Sequence, residues 1–159
     1  MVTAFDTFRD HLRVAAIAWL VACQGPREMH VRSSSWQPDP NHGELLAAIR
    51  RTGCLGACPV YTLTIYRDGD VEVGGKLRGR ARTQLDPARL AALEQELAGI
   101  PALDDEYPNA GVTDYPTVYL WYRPLGGPTK AIRHDLGDRS APKQLYAAEH
   151  AIDDAVQLR

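Results

Sequence analysis

Residues 60 to 66 read Val-Tyr-Thr-Leu-Thr-Ile-Tyr, and every one except Leu63 is β-branched or aromatic. Such side chains fit a pleated, half-buried surface. Arg67-Asp68-Gly69-Asp70 follows, carrying the Asp-Gly pair that closes a tight hairpin. Val71-Glu72-Val73 then returns in alternation as the partner strand. A hairpin written this strongly commits the domain to a sheet. The remaining segments must extend that sheet or cover it.

Both kinds of segment are present. Leu45 to Arg51 is short and apolar and reads as a strand, although Ala47 and Ala48 are poor β-formers. Lys76 to Arg82 reads as a further strand or extended edge. Asp86-Pro87 opens a helix: Asp86 caps free amides and Pro87 suits the first helical position. Leu85 and Leu90 are spaced as a staple across that cap. Leu90, Leu93 and Leu97 share one face, and Gly99 with Pro101 ends the helix. Thr117 to Tyr122 is a strand, Gly126-Gly127-Pro128 turns, and Lys130 to His134 returns. A last helix opens at Ser140 or Ala141, with Leu145, Ala148, Ile152 and Val156 as its buried stripe. The order predicts an α+β fold, an antiparallel sheet of about five strands with two helices packed on one face.

The 159 residues carry 18 basic and 20 acidic side chains, a net charge of −2. That balance argues against a nucleic-acid partner, which draws a basic surface. A hydrophobic fraction of 45% excludes a disordered or collagen-like chain. No catalytic constellation emerges. Three of the four serines lie between residues 33 and 35, and no Gly-x-Ser-x-Gly elbow exists. His134 and His150 lack a second histidine at zinc-ligand spacing. Asp114 and Asp153 read as isolated carboxylates, and Asp104-Asp105-Glu106 lacks the spaced ligands of a calcium loop. No residue is assigned a catalytic role, and no cofactor is called for.

The N-terminus reads as an address. Val14 to Ala22 is an uncharged run too short to span a bilayer as a helix. With Arg9 and Arg13 upstream, it matches the apolar stretch of a secretory signal. Leu20-Val21-Ala22-Cys23 resembles the lipobox of bacterial lipoproteins, in which the cysteine thiol takes the lipid. That resemblance implies a signal peptide over residues 1–22, lipidation of Cys23 and a membrane partner through the lipid anchor. Gln24 behind the cysteine points to the outer membrane rather than the inner. The competing expectation is a cytosolic protein with a packed amphipathic helix, since Phe5, Phe8, Leu12, Ala15 and Trp19 fall at helical spacing. Asp6 and Asp10 also cancel the leader's two arginines. Residues 23–43 carry serine, proline and glycine and read as a linker with a coil span of about 25 Å. Trp36 within it is expected to pack on the domain edge. The domain itself is expected over 44–159.

Residues 53 to 61, Gly-Cys-Leu-Gly-Ala-Cys-Pro-Val-Tyr, place Cys54 and Cys58 in one short loop ahead of the strong strand. Arg51-Thr52, Cys54, Gly56, Cys58, Pro59 and Tyr61 together resemble the bacterial family catalogued as domain of unknown function 6438. Tyr107, Asp114, Pro116, Lys130, Pro142, Leu145 and Ile152-Asp153 resemble its second half. The resemblance runs over roughly residues 45 to 156 and implies an envelope setting in many members, but no activity.

Several chemistries remain open for the pair. An exported chain with Cys23 lipidated leaves Cys54 and Cys58 as an even pair for a disulfide. Two thiolates can instead hold Cu(I), with His134 as a third ligand. A dithiol oxidoreductase and a pair of buried reduced thiols are the other readings. Lys76, Arg78, Arg80 and Arg82 alternate and fall on one face of a strand, as an anion site or as a charged sheet edge. The sequence therefore points to a lipid-anchored protein on the periplasmic side of a bacterial cell envelope. Its role would be binding or structural, towards an unidentified protein or cell-wall partner.

Overall fold

The computed structural model describes Pro38 and residues 42–75, 82–109, 111 and 114–156, with residues 82 and 83 described by their backbone alone. The expected hairpin forms as β2 (Tyr61–Tyr66) and β3 (Asp70–Gly75), joined at Asp68-Gly69. Asp68 steadies the turn by accepting the Asp70 amide at 3.1 Å. On one side the hairpin pairs with β1 (Leu45–Arg51), and on the other with the short β4 (Arg82–Gln84). After the helix α1 (Pro87–Leu97) and a 3-10 turn (Ile100–Ala102) comes β5 (Glu106–Tyr107). The second hairpin, β6 (Thr117–Tyr122) and β7 (Lys130–Asp135), leads to α2 (Lys143–Ala155). The strand order is β4-β3-β2-β1-β6-β7-β5.

The α+β class stands, but the sheet is mixed and wider than an antiparallel sheet of about five strands. Five long strands are antiparallel, whereas β5 lies parallel to β7. β5 and β7 run parallel because the chain reverses twice between them, into β6 and back out of it, while α1 and the 3-10 turn carry the chain from β4 at one edge of the sheet to β5 at the other. Two residues are too few to show any hydrophobic period, so β5 was not legible. Its neighbourhood is pinned instead by the Arg133 amide donating to the Asp105 carbonyl at 2.8 Å and by the Lys130–Asp105 ion pair at 2.5 Å.

β1 is the central strand, paired with β2 and β6. Ala47 and Ala48 are fully buried within it. A central strand is stabilised by ladders on both edges and by closure of both faces, so weak intrinsic propensity is overridden. One face of the sheet carries Ile49, Leu63, Ile65, Leu120 and Ile132 into a core closed by Leu93 and Leu97 of α1 and Leu145 and Ile152 of α2. A smaller cluster of Leu45, Ala48 and Trp121 occupies the other face.

α1 begins as expected, the Asp86 side chain accepting the Arg89 amide at 2.9 Å. Its end differs. Pro101 lies inside the 3-10 turn, and Gly99 has an ordinary helical φ of −84°. Gly99 leaves room for the Gln144 side chain of α2, whose amide would have to swing away from a Cβ there. α2 starts at Lys143 with Pro142 at its cap, later than Ser140 or Ala141.

Gly69 is needed for conformation. Its φ is +87°, and a Cβ would lie 2.6 Å from the Leu85 carbonyl oxygen. Gly69→Ala is expected to cost about 2 kcal/mol from strain and displacement of that backbone. Gly74→Ala, where a Cβ meets nothing within 4 Å, is expected to stay within about 1 kcal/mol of the parent. Urea unfolding midpoints of the two variants provide the comparison.

Candidate functional site

The β1–β2 connection, residues 52–60, sits at one end of the sheet. Two bonds to the start of β6 seat it: the Thr52 amide donates to the Thr117 carbonyl at 3.0 Å, and the Thr117 amide to Thr52 Oγ1 at 2.8 Å. Within the loop the sulfurs of Cys54 and Cys58 lie at disulfide distance, with Cα atoms 5.7 Å apart. The Gly56 amide donates to the Cys54 carbonyl at 2.9 Å, so the chain reverses between the two cysteines. Leu55, beside Cys54, is 81% exposed.

Beneath this loop lies a buried ionic network. Arg51 and Tyr61 are register partners on adjacent strands, and both face α2. Arg51 donates to Asp153 Oδ2 through Nη2 at 2.6 Å and Nε at 3.2 Å, and to the Tyr61 hydroxyl through Nε at 2.8 Å. Tyr61 in turn donates to Asp153 Oδ1 at 2.5 Å. Glu149, one turn earlier on α2, places Oε2 3.8 Å from Arg51 Nη1. Its other oxygen lies 2.7 Å from Nδ1 of His134. A carboxylate only accepts, so Nδ1 carries the proton in that bond. His134 and Glu149 are 1% and 2% exposed. Nε2 of His134 is buried and has no hydrogen-bond partner. The rings of Tyr146 and Tyr107 stand edge-on to His134, with centroids at 4.8 Å and 6.3 Å.

The electrostatics follow from burial and neighbours. Burial opposes the Arg51 charge, but Asp153, Tyr61 and Glu149 together outweigh it, and the guanidinium is held still more firmly protonated than usual. The Tyr61 phenol is pushed well above its ordinary value, first by burial and then by the hydrogen bond it donates to Asp153. The cluster is thus a fixed clamp between the base of the loop and the last helix. The guanidinium engages one carboxylate through two nitrogens and sits near a second.

Asp153 is therefore not isolated, and Glu149 belongs to the buried stripe of α2 alongside Leu145 and Ile152. Val156, placed in that stripe from spacing, is only partly buried. Asp104-Asp105-Glu106 is a structural segment: Asp105 pairs with Lys130, and Glu106 opens β5. The structure does not gather Cys54, Cys58 and His134 into a metal centre. Among the described residues no three His, Cys, Asp or Glu side chains are grouped to hold an ion, and His134 is committed to Glu149 under α2. Of the basic run, Arg82 lies on the edge strand β4 opposite Glu72. Lys76, Arg78 and Arg80 fall outside the described residues, as do Cys23, the signal peptide and Trp36. No helix among the described residues is long and apolar enough to cross a membrane.

Asp153→Ala leaves Arg51 buried without its main counter-charge and is expected to cost about 3 kcal/mol. Tyr61→Phe is expected to cost about 1 kcal/mol for the lost hydrogen bonds. The raised Tyr61 pKa also has a sign. Its stabilisation is fully present below the unfolded tyrosine value of about 10 and is lost as pH rises towards the higher folded value. Denaturant unfolding above pH 10 should therefore decline less steeply in Tyr61→Phe than in the parent.

No curated protein and no solved structure matches the chain. A family profile does, over residues 46–156, most of the chain and all of the elements described above except the first residue of β1. Arg51, Tyr61, Glu149, Asp153 and both cysteines of the loop fall inside that span. The chain belongs to the family described as Domain of unknown function (DUF6438).

Proposed function

We propose that this protein is an exported, lipid-anchored component of a bacterial cell envelope that acts by binding, with the cysteine loop as its presented surface. The observation that carries the reading is the pairing distance of Cys54 and Cys58 in a loop that is otherwise largely exposed. Paired cysteines persist in oxidising compartments and are rare where thiols are kept reduced. The third cysteine, Cys23, stands behind a segment resembling a lipobox, so every cysteine has an assignment.

The loop suits binding better than redox exchange. Its base is held by the Arg51–Asp153–Tyr61 clamp and by two bonds from Thr52 to β6. A preorganised loop loses little conformational freedom when it meets a partner. Leu55 offers an exposed apolar contact at its tip. The partner in this reading is another envelope protein or the cell wall, and the lipid on Cys23 supplies the membrane attachment.

The test is the intact mass of the protein from its native host, with and without reduction before thiol alkylation. The expected result is a chain beginning at acylated Cys23 that takes up alkylating reagent only after reduction. A full-length chain with three alkylatable thiols would overturn the export reading. Separately, Cys54→Ser with Cys58→Ser should lower stability by about 2 kcal/mol, the loop-closure entropy of so short a ring.

A further inference from the structure

The end of the sheet that carries the cysteine loop also holds a groove of about 600 Å³, within the size range of small-ligand sites. It lies where the segment after β5, the turn before β6 and the turn after β7 meet the first turns of α2. Its lining includes Asn109, Tyr115, Gly137, Asp138, Arg139 and Tyr146. We propose that this groove binds a neutral carbohydrate chain, with Tyr115 as the platform for a sugar ring. The inference goes beyond the cysteine-loop reading by assigning a second binding surface on the same domain, and it does not depend on the lipid anchor.

Four observations point to a polyol. Tyr115 is 54% exposed, one of only three large hydrophobic side chains so exposed among the described residues. An amphipathic ring kept on a groove wall offers an apolar face with a polar tip. Gly137 keeps the floor bare. A Cβ there would lie 2.2 Å from Nδ2 of Asn109 and 2.8 Å from Cδ2 of Tyr115, so the glycine lets both side chains lie against the backbone. Asp138 is oriented: it accepts the Ser140 amide at 3.1 Å on Oδ1 and the Ser140 hydroxyl at 2.7 Å on Oδ2. With the Ala141 amide also bonding to it, the carboxylate still keeps acceptor capacity for a sugar hydroxyl. Finally, the adjacent Asp138 and Arg139 carry opposite charges, which favours a ligand with many donors and acceptors but no net charge over an ion of either sign.

The side of the groove formed by Tyr146 is firm. Tyr146 donates its hydroxyl to the Asp138 carbonyl at 3.1 Å, and its ring stands on the buried His134. The ionic network therefore supports the groove as well as the cysteine loop. Rigid support of this kind is what a weak, stacking-based ligand needs.

The experiment is calorimetric titration of the purified full-length chain with two neutral probes, chitotetraose and cellotetraose. Saturable binding of either, with a dissociation constant below about 10 mM, is expected. Tyr115→Ala should weaken it at least about tenfold with an unchanged circular dichroism spectrum, and Leu55→Ala should leave it intact. Binding of one probe and not the other also supports the groove and says whether acetamido or hydroxyl groups are read. No saturable binding of either probe, or equal binding by Tyr115→Ala, would overturn the proposal. Gly137→Val should abolish binding; if that variant fails to fold, the exposed Tyr115 still decides. Failure here with an acylated, disulfide-bonded mass removes the carbohydrate site alone. Free thiols on a full-length chain remove the envelope reading and leave the titration standing.

Discussion

Arg51 stands at the last position of the central strand, and its guanidinium reaches to Asp153 near the chain's other end. Burying that charge is costly unless the geometry is good and the remaining protons are satisfied. Here a carboxylate takes two of the nitrogens, a phenol takes a third bond, and Glu149 lies near. The last helix, the register of β1 against β2 and the footing of the cysteine loop all converge on this contact. Hydrophobic burial drives α2 onto the sheet, but it is non-directional. The ion pair sets where along the sheet the helix rests, and hence where Tyr146 meets His134.

The same end of the sheet carries two different surfaces. One is the cysteine loop with Leu55 at its tip, and the other is the groove beside Tyr115. Thr52 and Thr117 bond the roots of both, the Thr52 amide to the Thr117 carbonyl and the Thr117 amide to the Thr52 hydroxyl. A ligand on one side therefore touches a segment whose neighbour belongs to the other. Three glycine-, proline- or cysteine-bearing connections thus share a floor of polar contacts rather than hanging separately from their strands.

Much of the fold was legible because its signals are local. The Asp68-Gly69 turn, the β-branched run before it, the Asp86 cap and the alternation of β6 all act within a few residues. β5 was missed because two residues hold no period, and the sheet came out mixed for that reason. The site was half legible. Cys54, Cys58, Arg51, Tyr61 and Asp153 were each marked by resemblance, but nothing local joins residues about a hundred positions apart. Glu149 had a signal that went unread: it lies four positions from both Leu145 and Asp153, on the apolar face of α2. An acid at a core-facing position implies a buried cation or imidazole opposite, and His134 is there.

Among the described residues, the first strand is also the middle one, flanked by β2 and β6. A chain made from its N-terminus forms the β1–β2–β3–β4 meander early. The other edge of β1 then stays open until residues 118–122 arrive to close it. Ala47, Ala48 and Ile49 are apolar on that unpaired edge, and charge enters it only at Arg50 and Arg51 towards its end. Arg51 likewise waits for α2, the final element. The nascent half-domain is thus sticky along one side and charged at its tip, and late arrival of the C-terminal third governs both. Truncated or stalled copies of this chain should accordingly be more prone to strand-to-strand association than the finished domain.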